Sequence, residues 1–117
     1  MPWAVSCLRC SAISTLFWGI RLASYKLRTA LAKCQFRVYY QPILSLKTQQ
    51  ITGFEALIRW EHPEKGFLYP ADFIRAAEES GLIVPIGQWV LFEACFQMKQ
   101  WQGLFSMDPP LSIHVNL

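Results

Sequence analysis

The run from Phe54 to Trp60 constrains the fold most, because it is an apolar segment that carries two opposite charges, Glu55 and Arg59. Side chains alternate between the two faces of a β-strand, so Glu55, Leu57 and Arg59 would share one face of such a strand. Burying a carboxylate and a guanidinium on an otherwise apolar strand costs free energy unless each has a partner. The run therefore predicts a strand whose charged face either holds an internal ion pair or lines a functional site.

The flanking segments predict that this strand belongs to a hairpin. Residues 36–44 alternate in the manner of a first strand, and the polar residues 45–50 form a loop before a second strand over residues 51–60. So short a connection requires antiparallel strands, since a parallel crossover needs about a dozen residues or more. Residues 61–66 contain a proline and a glycine and predict a loop.

Two helices and a final strand are predicted after the hairpin. The first helix, residues 71–80, lies between Pro70 and Gly81, which suit the first turn and the C-terminal end of a helix. Apolar residues recur at helical spacing over residues 86–102, and strict alternation over residues 111–117 predicts a strand. A strand, intervening helices and a further strand form a βαβ unit, which builds a parallel sheet.

The N-terminal part is basic and apolar and has no clear assignment. Residues 1–54 hold seven Lys and Arg and no acid, whereas the remainder holds four basic and all eight acidic residues. The uncharged run over residues 10–20 is shorter than the roughly 20 apolar residues that span a membrane, so membrane association is not expected.

Cys7 and Cys10 have CxxC spacing but no second pair, which favours ordinary cysteines in a reducing cytosol. A basic helix over residues 22–33 is read as a solvated face rather than a surface for DNA or RNA, because aromatic residues do not interleave with its charges.

Two runs, Val38–Ile43 and Gly53–Pro63, resemble the start of an EAL domain. This is the family of cyclic-di-GMP-specific phosphodiesterases, named for the Glu-Ala-Leu present here at residues 55–57. The resemblance continues in order and with suitable spacing to the C-terminus. We therefore expect residues 1–21 to be an unassigned leader and residues 22–117 to be the N-terminal portion of an EAL domain. Further agreement comes from Gly66, Pro70, Phe73, Ile74, Ala77, Glu78, Gly81, Leu82, Ile83, Gly87, Gln88, Trp89, Val90, Leu91, Val115 and Asn116.

The resemblance implies an α/β fold that is a partial TIM-like (β/α) barrel with an antiparallel first strand, in agreement with the predicted hairpin. A complete barrel takes about 250 residues, so the 117-residue chain is expected to be truncated after the third predicted strand.

The resemblance also implies the site residues. Glu55 would be a catalytic residue and a direct ligand of Mg²⁺ or Mn²⁺, and Asn116 would be a second metal ligand. Gln41, Leu57 and Arg59 would contact cyclic-di-GMP, with Arg59 binding phosphate. Hard divalent cations take oxygen ligands, and the planar guanidinium matches phosphate oxygens, so the residue types suit these roles.

The chain is therefore expected to be a fragment of a cytoplasmic phosphodiesterase that hydrolyses cyclic-di-GMP to linear di-guanylate. The fragment is expected to be inactive by itself, and the complete domain is expected to form a homodimer. The alternative is a non-enzymatic module that binds cyclic-di-GMP or a protein partner in signalling. A third hypothesis is a membrane-linked interaction fragment dominated by residues 1–33. His62 and His114 are not expected to be catalytic: His62 matches a loop residue of the family, and His114 is expected to pack or form hydrogen bonds inside the barrel.

Overall fold

The computed structural model describes residues 21–116, whose strands form one open mixed sheet with the helices packed on one of its faces. The predicted leader lies outside the described residues except for Arg21, as do the CxxC pair and Leu117. Within the described part, no helix is both long enough and apolar enough to cross a membrane. The elements in chain order are α1 (described over residues 21–32), β1 (Phe36–Leu44), β2 (Ile51–His62), β3 (Gly66–Leu68), α2 (Pro70–Ser80), α3 (Ile83–Leu104) and β4 (Ser112–Val115).

The predicted hairpin is confirmed. β1 and β2 pair antiparallel in a register that places Phe36 opposite Trp60 and Gln41 opposite Glu55. The predicted βαβ unit is also confirmed, because β4 pairs parallel to β2 after the chain has passed through α2 and α3. β2 is therefore the central strand, with β1 along one edge and both β3 and β4 along the other.

The loop predicted over residues 61–66 is too long, since only residues 63–65 form a turn. β2 continues to His62, and β3 returns antiparallel beside it from Gly66. The His62 imidazole ties the turn together, since its Nδ1 accepts hydrogen bonds from the backbone N–H groups of Glu64 and Lys65, both at 3.1 Å. Gly66 has a φ of 75°, a left-handed conformation that glycine adopts without steric cost. The proline and glycine here make a tight turn within the sheet instead of ending it.

The helix predicted from Ile86 begins earlier, at Ile83. Pro85 lies in the first turn, where a missing backbone N–H leaves no helical hydrogen bond unmade, so it does not delay the start of the helix. Four buried residues then follow at every fourth position and form the face that packs on the sheet: Ile86, Val90, Ala94 and Met98.

The core lies between the sheet and the helices around Phe36, which is 2% exposed. Its ring packs against Trp60 and Phe73 at centroid distances of 5.8 and 5.6 Å. Leu27 of α1 and Ile86 of α3 complete the contact, each 1% exposed. Because one face of the sheet is used for this core, the opposite face of β1 and β2 is left with the side chains of the predicted site.

Candidate functional site

The face of the sheet that points away from the helices is called the site face here, and it carries Gln41, Glu55, Leu57, Arg59 and, directly after β4, Asn116. The register confirms the prediction that Glu55, Leu57 and Arg59 share one face. The alternate residues Ala56 and Trp60 lie opposite residues of β1, face the helices and are buried. The three side chains are half-buried, so they remain accessible from the open side of the sheet.

Glu55 and Asn116 meet on the site face although 61 residues separate them in the chain. The Asn116 Nδ2 group donates a hydrogen bond of 3.1 Å to Glu55 Oε1. The parallel pairing of β2 with β4 produces this contact, because His114 lies opposite Glu55 and Asn116 follows two residues later on the same face. On the other side of β2, Gln41 lies directly opposite Glu55. The structure thus brings three of the predicted site residues together.

Gly53 allows β4 to approach β2 closely enough for that contact. A Cβ atom at residue 53 would collide with the Ser112 side chain and would lie 2.5 Å from the Ser112 carbonyl oxygen. Any side chain here would push the backbone of β4 away, because a carbonyl oxygen in a paired strand cannot rotate aside.

Arg59 forms no ion pair with Glu55. Among residues 21–116 the ion pairs are Arg37 with Glu61 and Arg75 with Glu79, so the alternative of an internal pair between Glu55 and Arg59 is wrong. The Arg59 guanidinium instead donates a 2.7 Å hydrogen bond to the Ile58 carbonyl and lies over the ring of Tyr69, 4.7 Å from the ring centroid.

Arg37 lies directly opposite Arg59 in the sheet, and two like charges in that arrangement repel each other. Glu61 compensates Arg37, with the guanidinium and carboxylate 2.9 Å apart. Arg37 also donates to the carbonyls of Cys34 and Phe36 at 2.6 and 2.9 Å. The charge of Arg37 is therefore compensated by a carboxylate, whereas the described residues supply no carboxylate to Arg59.

Three aromatic residues on the site face are not among the predicted site residues. Tyr39 lies opposite Leu57, and Phe67 lies opposite Glu61, so their rings meet across β2, edge to face, at a centroid distance of 5.9 Å. Tyr69 follows Phe67 by two residues and reaches the same face. The alternation of Phe67 and Tyr69 is a sequence signal that was missed, because residues 67–69 were not assigned to a strand and faces are assigned only within a strand.

The two histidines have different surroundings. His62 is buried, packs its ring on Trp60 at 4.9 Å and uses Nδ1 to hold the turn before β3, so its observed contacts are structural. His114 is on the site face opposite Glu55 and is exposed, so the packing predicted for it is not found in the described part of the chain.

The residues present fit a divalent cation only in part. Glu55 offers carboxylate oxygens and Asn116 offers an amide oxygen, both of which suit Mg²⁺ or Mn²⁺. Residues 21–116 contain no group of three or more His, Cys, Asp or Glu side chains arranged to hold a metal ion. Since these ions take about six ligands, the two residues account for a minority of a coordination shell.

Comparison with known proteins places this geometry in a family. A sequence model of the EAL domain matches residues 25–117. MucR of Pseudomonas aeruginosa, a bifunctional diguanylate cyclase/cyclic di-GMP phosphodiesterase, is 48% identical over 77 residues, which are 66% of this chain and 11% of MucR. PdeR of Escherichia coli, a cyclic di-GMP phosphodiesterase, is 45% identical over 76 residues, 65% of this chain and 11% of PdeR.

The same relation holds in three dimensions. A solved complex of the MucR phosphodiesterase with c-di-GMP superimposes with a TM-score of 0.76 at 43% identity, covering 82% of this chain and 38% of the MucR structure. The chain thus spans about a tenth of the length of these curated relatives. The open sheet with an antiparallel first strand corresponds to part of the TIM-like barrel of such domains, as predicted. From the family match over most of its length, the chain belongs to the EAL domain family.

Proposed function

We propose that this chain supplies part of the site at which an EAL phosphodiesterase hydrolyses cyclic-di-GMP to linear di-guanylate. Glu55 is the catalytic metal ligand, Asn116 is a second ligand, and Gln41, Leu57 and Arg59 contact the cyclic dinucleotide. The observation that carries the proposal is the 3.1 Å contact between Asn116 and Glu55, with Gln41 opposite Glu55 in the sheet.

Mg²⁺ or Mn²⁺, when bound, supplies a Lewis acid and lowers the pKa of a coordinated water. In the described residues, the Glu55 carboxylate provides negative charge for such an ion and Asn116 provides a neutral oxygen. Their hydrogen bond holds the two side chains side by side, and Asn116 would become a ligand by turning its amide so that Oδ1 rather than Nδ2 faces the cation. The remaining ligands have to come from outside residues 21–116.

Arg59 suits the phosphate of the ligand because the described chain leaves its charge uncompensated. Glu55 and Arg59 are four residues apart on one strand, so their Cα atoms are separated by roughly 13 Å. A dinucleotide with two phosphates is long enough to contact both positions, so a ligand of the size of cyclic-di-GMP fits this spacing on the site face.

A second space near the site does not suit this ligand. A cavity of about 340 Å³ lies between β2 and helices α2 and α3, and apolar side chains such as Ile74, Ile86 and Val90 line it together with Glu78 and the site residues Leu57 and Asn116. A doubly anionic dinucleotide would lose its hydration there without gaining a cationic partner. The site face, with Arg59 and Gln41, is the better surface.

A non-enzymatic role is the second candidate. It is favoured by the lack of a three-ligand cluster within residues 21–116, since binding of the dinucleotide through Arg59 and Gln41 needs no metal. The homodimer and the cytoplasmic location implied for the complete domain remain predictions.

The first test supplies the rest of the barrel. In a chimera, residues 21–116 of this chain replace the matching segment of the MucR phosphodiesterase domain. Conversion of cyclic-di-GMP to linear di-guanylate with Mg²⁺ or Mn²⁺ is followed by chromatography. We expect the chimera to hydrolyse the dinucleotide and the 117-residue chain alone to give no linear product. In the chimera, Glu55→Gln should lower kcat/KM by at least about 100-fold, since even outer-shell partners of a metal contribute roughly 10–100-fold.

Glu79→Gln is the matched control, because Glu79 forms only the exposed i,i+4 pair with Arg75 on α2 and its loss should leave turnover unchanged. Full activity of the Glu55→Gln chimera would overturn the metal-ligand assignment. A chimera that binds cyclic-di-GMP without hydrolysing it would favour the non-enzymatic candidate. Turnover by the isolated chain would contradict the need for further ligands.

A further inference from the structure

We infer that Tyr69 is a positioning residue for Arg59: the face of its ring holds the guanidinium on the site face and leaves the N–H groups that do not bond the Ile58 carbonyl free for a phosphate of the ligand. This inference rests on the proposed role of Arg59 in binding the dinucleotide. Its basis is the position of the Arg59 Cζ atom over the Tyr69 ring, 4.7 Å from the centroid.

The local sequence determines where the Tyr69 ring lies. Proline at residue 70 disfavours the helical conformation for the preceding residue, and Tyr69 is extended, with a φ of −92° and a ψ of 161°. The alternation of β3 therefore continues through Tyr69, which shares the site face with Phe67. Asp72 locks this conformation, because its Oδ2 accepts the Tyr69 N–H at 2.9 Å and its own N–H donates to the Tyr69 carbonyl at 2.9 Å. The ring is thus mounted on a capped helix start rather than on a free loop.

The electrostatic surroundings explain why Arg59 needs such a partner. Its neighbour Arg37 repels it and is itself engaged by Glu61. A carboxylate beside Arg59 would neutralise the charge that a phosphate has to meet. An aromatic face attracts the cation through its quadrupole and does not use its N–H donors, so it orients the guanidinium and keeps the charge available.

A second aromatic contact lies close to Arg59 in the sheet. The contact between Tyr39 and Phe67 crosses β2 near Arg59, since the two rings are anchored opposite Leu57 and Glu61. Rings at these neighbouring positions restrict the directions that the long arginine side chain can take. A restricted side chain loses less conformational entropy when it binds a phosphate.

The expected size of the effect follows from the exposure of the pair. Tyr69 is 57% exposed, and a cation–π contact at an exposed site corresponds to about 2- to 5-fold in an equilibrium constant. Tyr69→Leu removes the aromatic face while keeping an apolar side chain. Tyr69→Phe keeps the face and removes only the hydroxyl. Neither change affects the backbone hydrogen bonds to Asp72, so both variants are expected to fold.

The first measurement uses the 117-residue chain and needs no ligand. The NMR signals of the Arg59 δ and ε protons are recorded, because protons over an aromatic face are displaced upfield by its ring current. We expect the displacement in the wild-type chain and in Tyr69→Phe, and its loss in Tyr69→Leu. Tyr25→Leu is the matched control, since Tyr25 is an exposed tyrosine on α1. Arg59 signals that do not change in Tyr69→Leu would overturn the inference.

The second measurement uses the MucR chimera with cyclic-di-GMP. Tyr69→Leu should raise KM about 2- to 5-fold with a smaller change in kcat, and Tyr69→Phe should behave as the unmodified chimera. An unchanged KM in Tyr69→Leu, or an equal loss in Tyr69→Phe, would contradict a role of the ring face in ligand binding. An inactive chimera, or an Arg59→Ala chimera with unchanged KM, would instead contradict the proposed function, and the ligand-free NMR comparison would still decide whether Tyr69 holds Arg59.

Discussion

At the scale of single residues, the surroundings of a side chain decide what an identical chemical group can do. Arg37 and Arg59 are directly opposite each other in β1 and β2, yet one is paired with Glu61 and the other lies on Tyr69. Two neighbouring tyrosines differ in the same way. Tyr39 is half-exposed on the site face, whereas Tyr40 points to the helices and packs edge to face on Trp101 at 5.0 Å.

Tyr40 provides a prediction about pH. Burial raises the pKa of Tyr40 above its usual value of 10.0, and the nearby Glu93 carboxylate raises it further. Between the unfolded and the folded pKa, the folded state binds more protons, so the free energy of unfolding falls as pH rises. This contribution is fully present below pH 10.0 and is lost as the pH passes through the raised value.

The measurement is urea unfolding followed by tryptophan fluorescence between about pH 9 and 11. We expect stability to fall more steeply with pH in the wild-type chain than in Tyr40→Phe, which has no phenol to ionise at this position. Tyr25→Phe, at an exposed position, is the control and should retain the wild-type slope. Identical slopes for wild type and Tyr40→Phe would contradict the burial argument.

At the scale of elements, the pairing of β2 with β4 is the step that assembles the candidate site. β4 is short, from Ser112 to Val115, and it lies against β2 where Gly53 leaves room for its backbone. The same pairing brings Asn116 to Glu55. A local defect at Gly53 should therefore disturb the site although Gly53 is not one of its predicted residues.

We expect Gly53→Ala to lower the free energy of unfolding by about 1–3 kcal/mol, the usual cost of forcing extra atoms into a packed region. It should also shift the NMR signals of the Asn116 side-chain amide, because β4 moves away from Glu55. Gly103→Ala is the matched control: a Cβ there meets nothing within 4 Å, and alanine in a helix is favoured by up to about 1 kcal/mol. Equal stability and an unchanged Asn116 signal in Gly53→Ala would show that β4 tolerates the added methyl group.

At the scale of the whole molecule, one aromatic cluster joins the elements that carry the site. Phe36 belongs to β1 and contacts Trp60 of β2, Phe73 of α2 and Trp89 of α3, with centroid distances from 5.6 to 6.2 Å. α1 adds Leu27 to the same cluster. The open sheet therefore depends on this core to hold its site face in shape.

Phe36→Ala should destabilise the chain by about 3–5 kcal/mol, because it removes a fully buried ring and leaves a cavity. Such a loss is a large part of the roughly 5–15 kcal/mol that stabilises an ordinary domain. Urea unfolding gives the measurement, and Phe92→Ala is the control, since Phe92 is 68% exposed and its loss should change stability by less than about 0.5 kcal/mol. Similar losses for both variants would mean that the core is not centred on Phe36.

Local patterns were enough to predict much of this fold. Alternation over residues 54–60 predicted that Glu55, Leu57 and Arg59 share a face, and the short loop before β2 predicted the antiparallel hairpin. Both predictions hold because side-chain direction in a strand and the reach of a short loop are properties of neighbouring residues. The ordered motifs in turn identified the family.

β3 was missed because the turn before it depends on the His62 side chain, which receives two backbone hydrogen bonds only when the chain has already folded back. The alternation that places Tyr69 on the site face was hidden for the same reason. A proline and a glycine in the sequence are compatible with a loop or with a tight turn inside a sheet, and the pairing of distant strands decides between them.

By itself, then, the sequence determined the family, the hairpin and the charged face that carries Glu55 and Arg59. The tertiary structure decided the partners of those charges: Asn116 for Glu55 through the pairing of β4, and Tyr69 rather than a carboxylate for Arg59. The reason is physical. The direction of a side chain follows from the local backbone, whereas its partner depends on where separate elements of the chain come together.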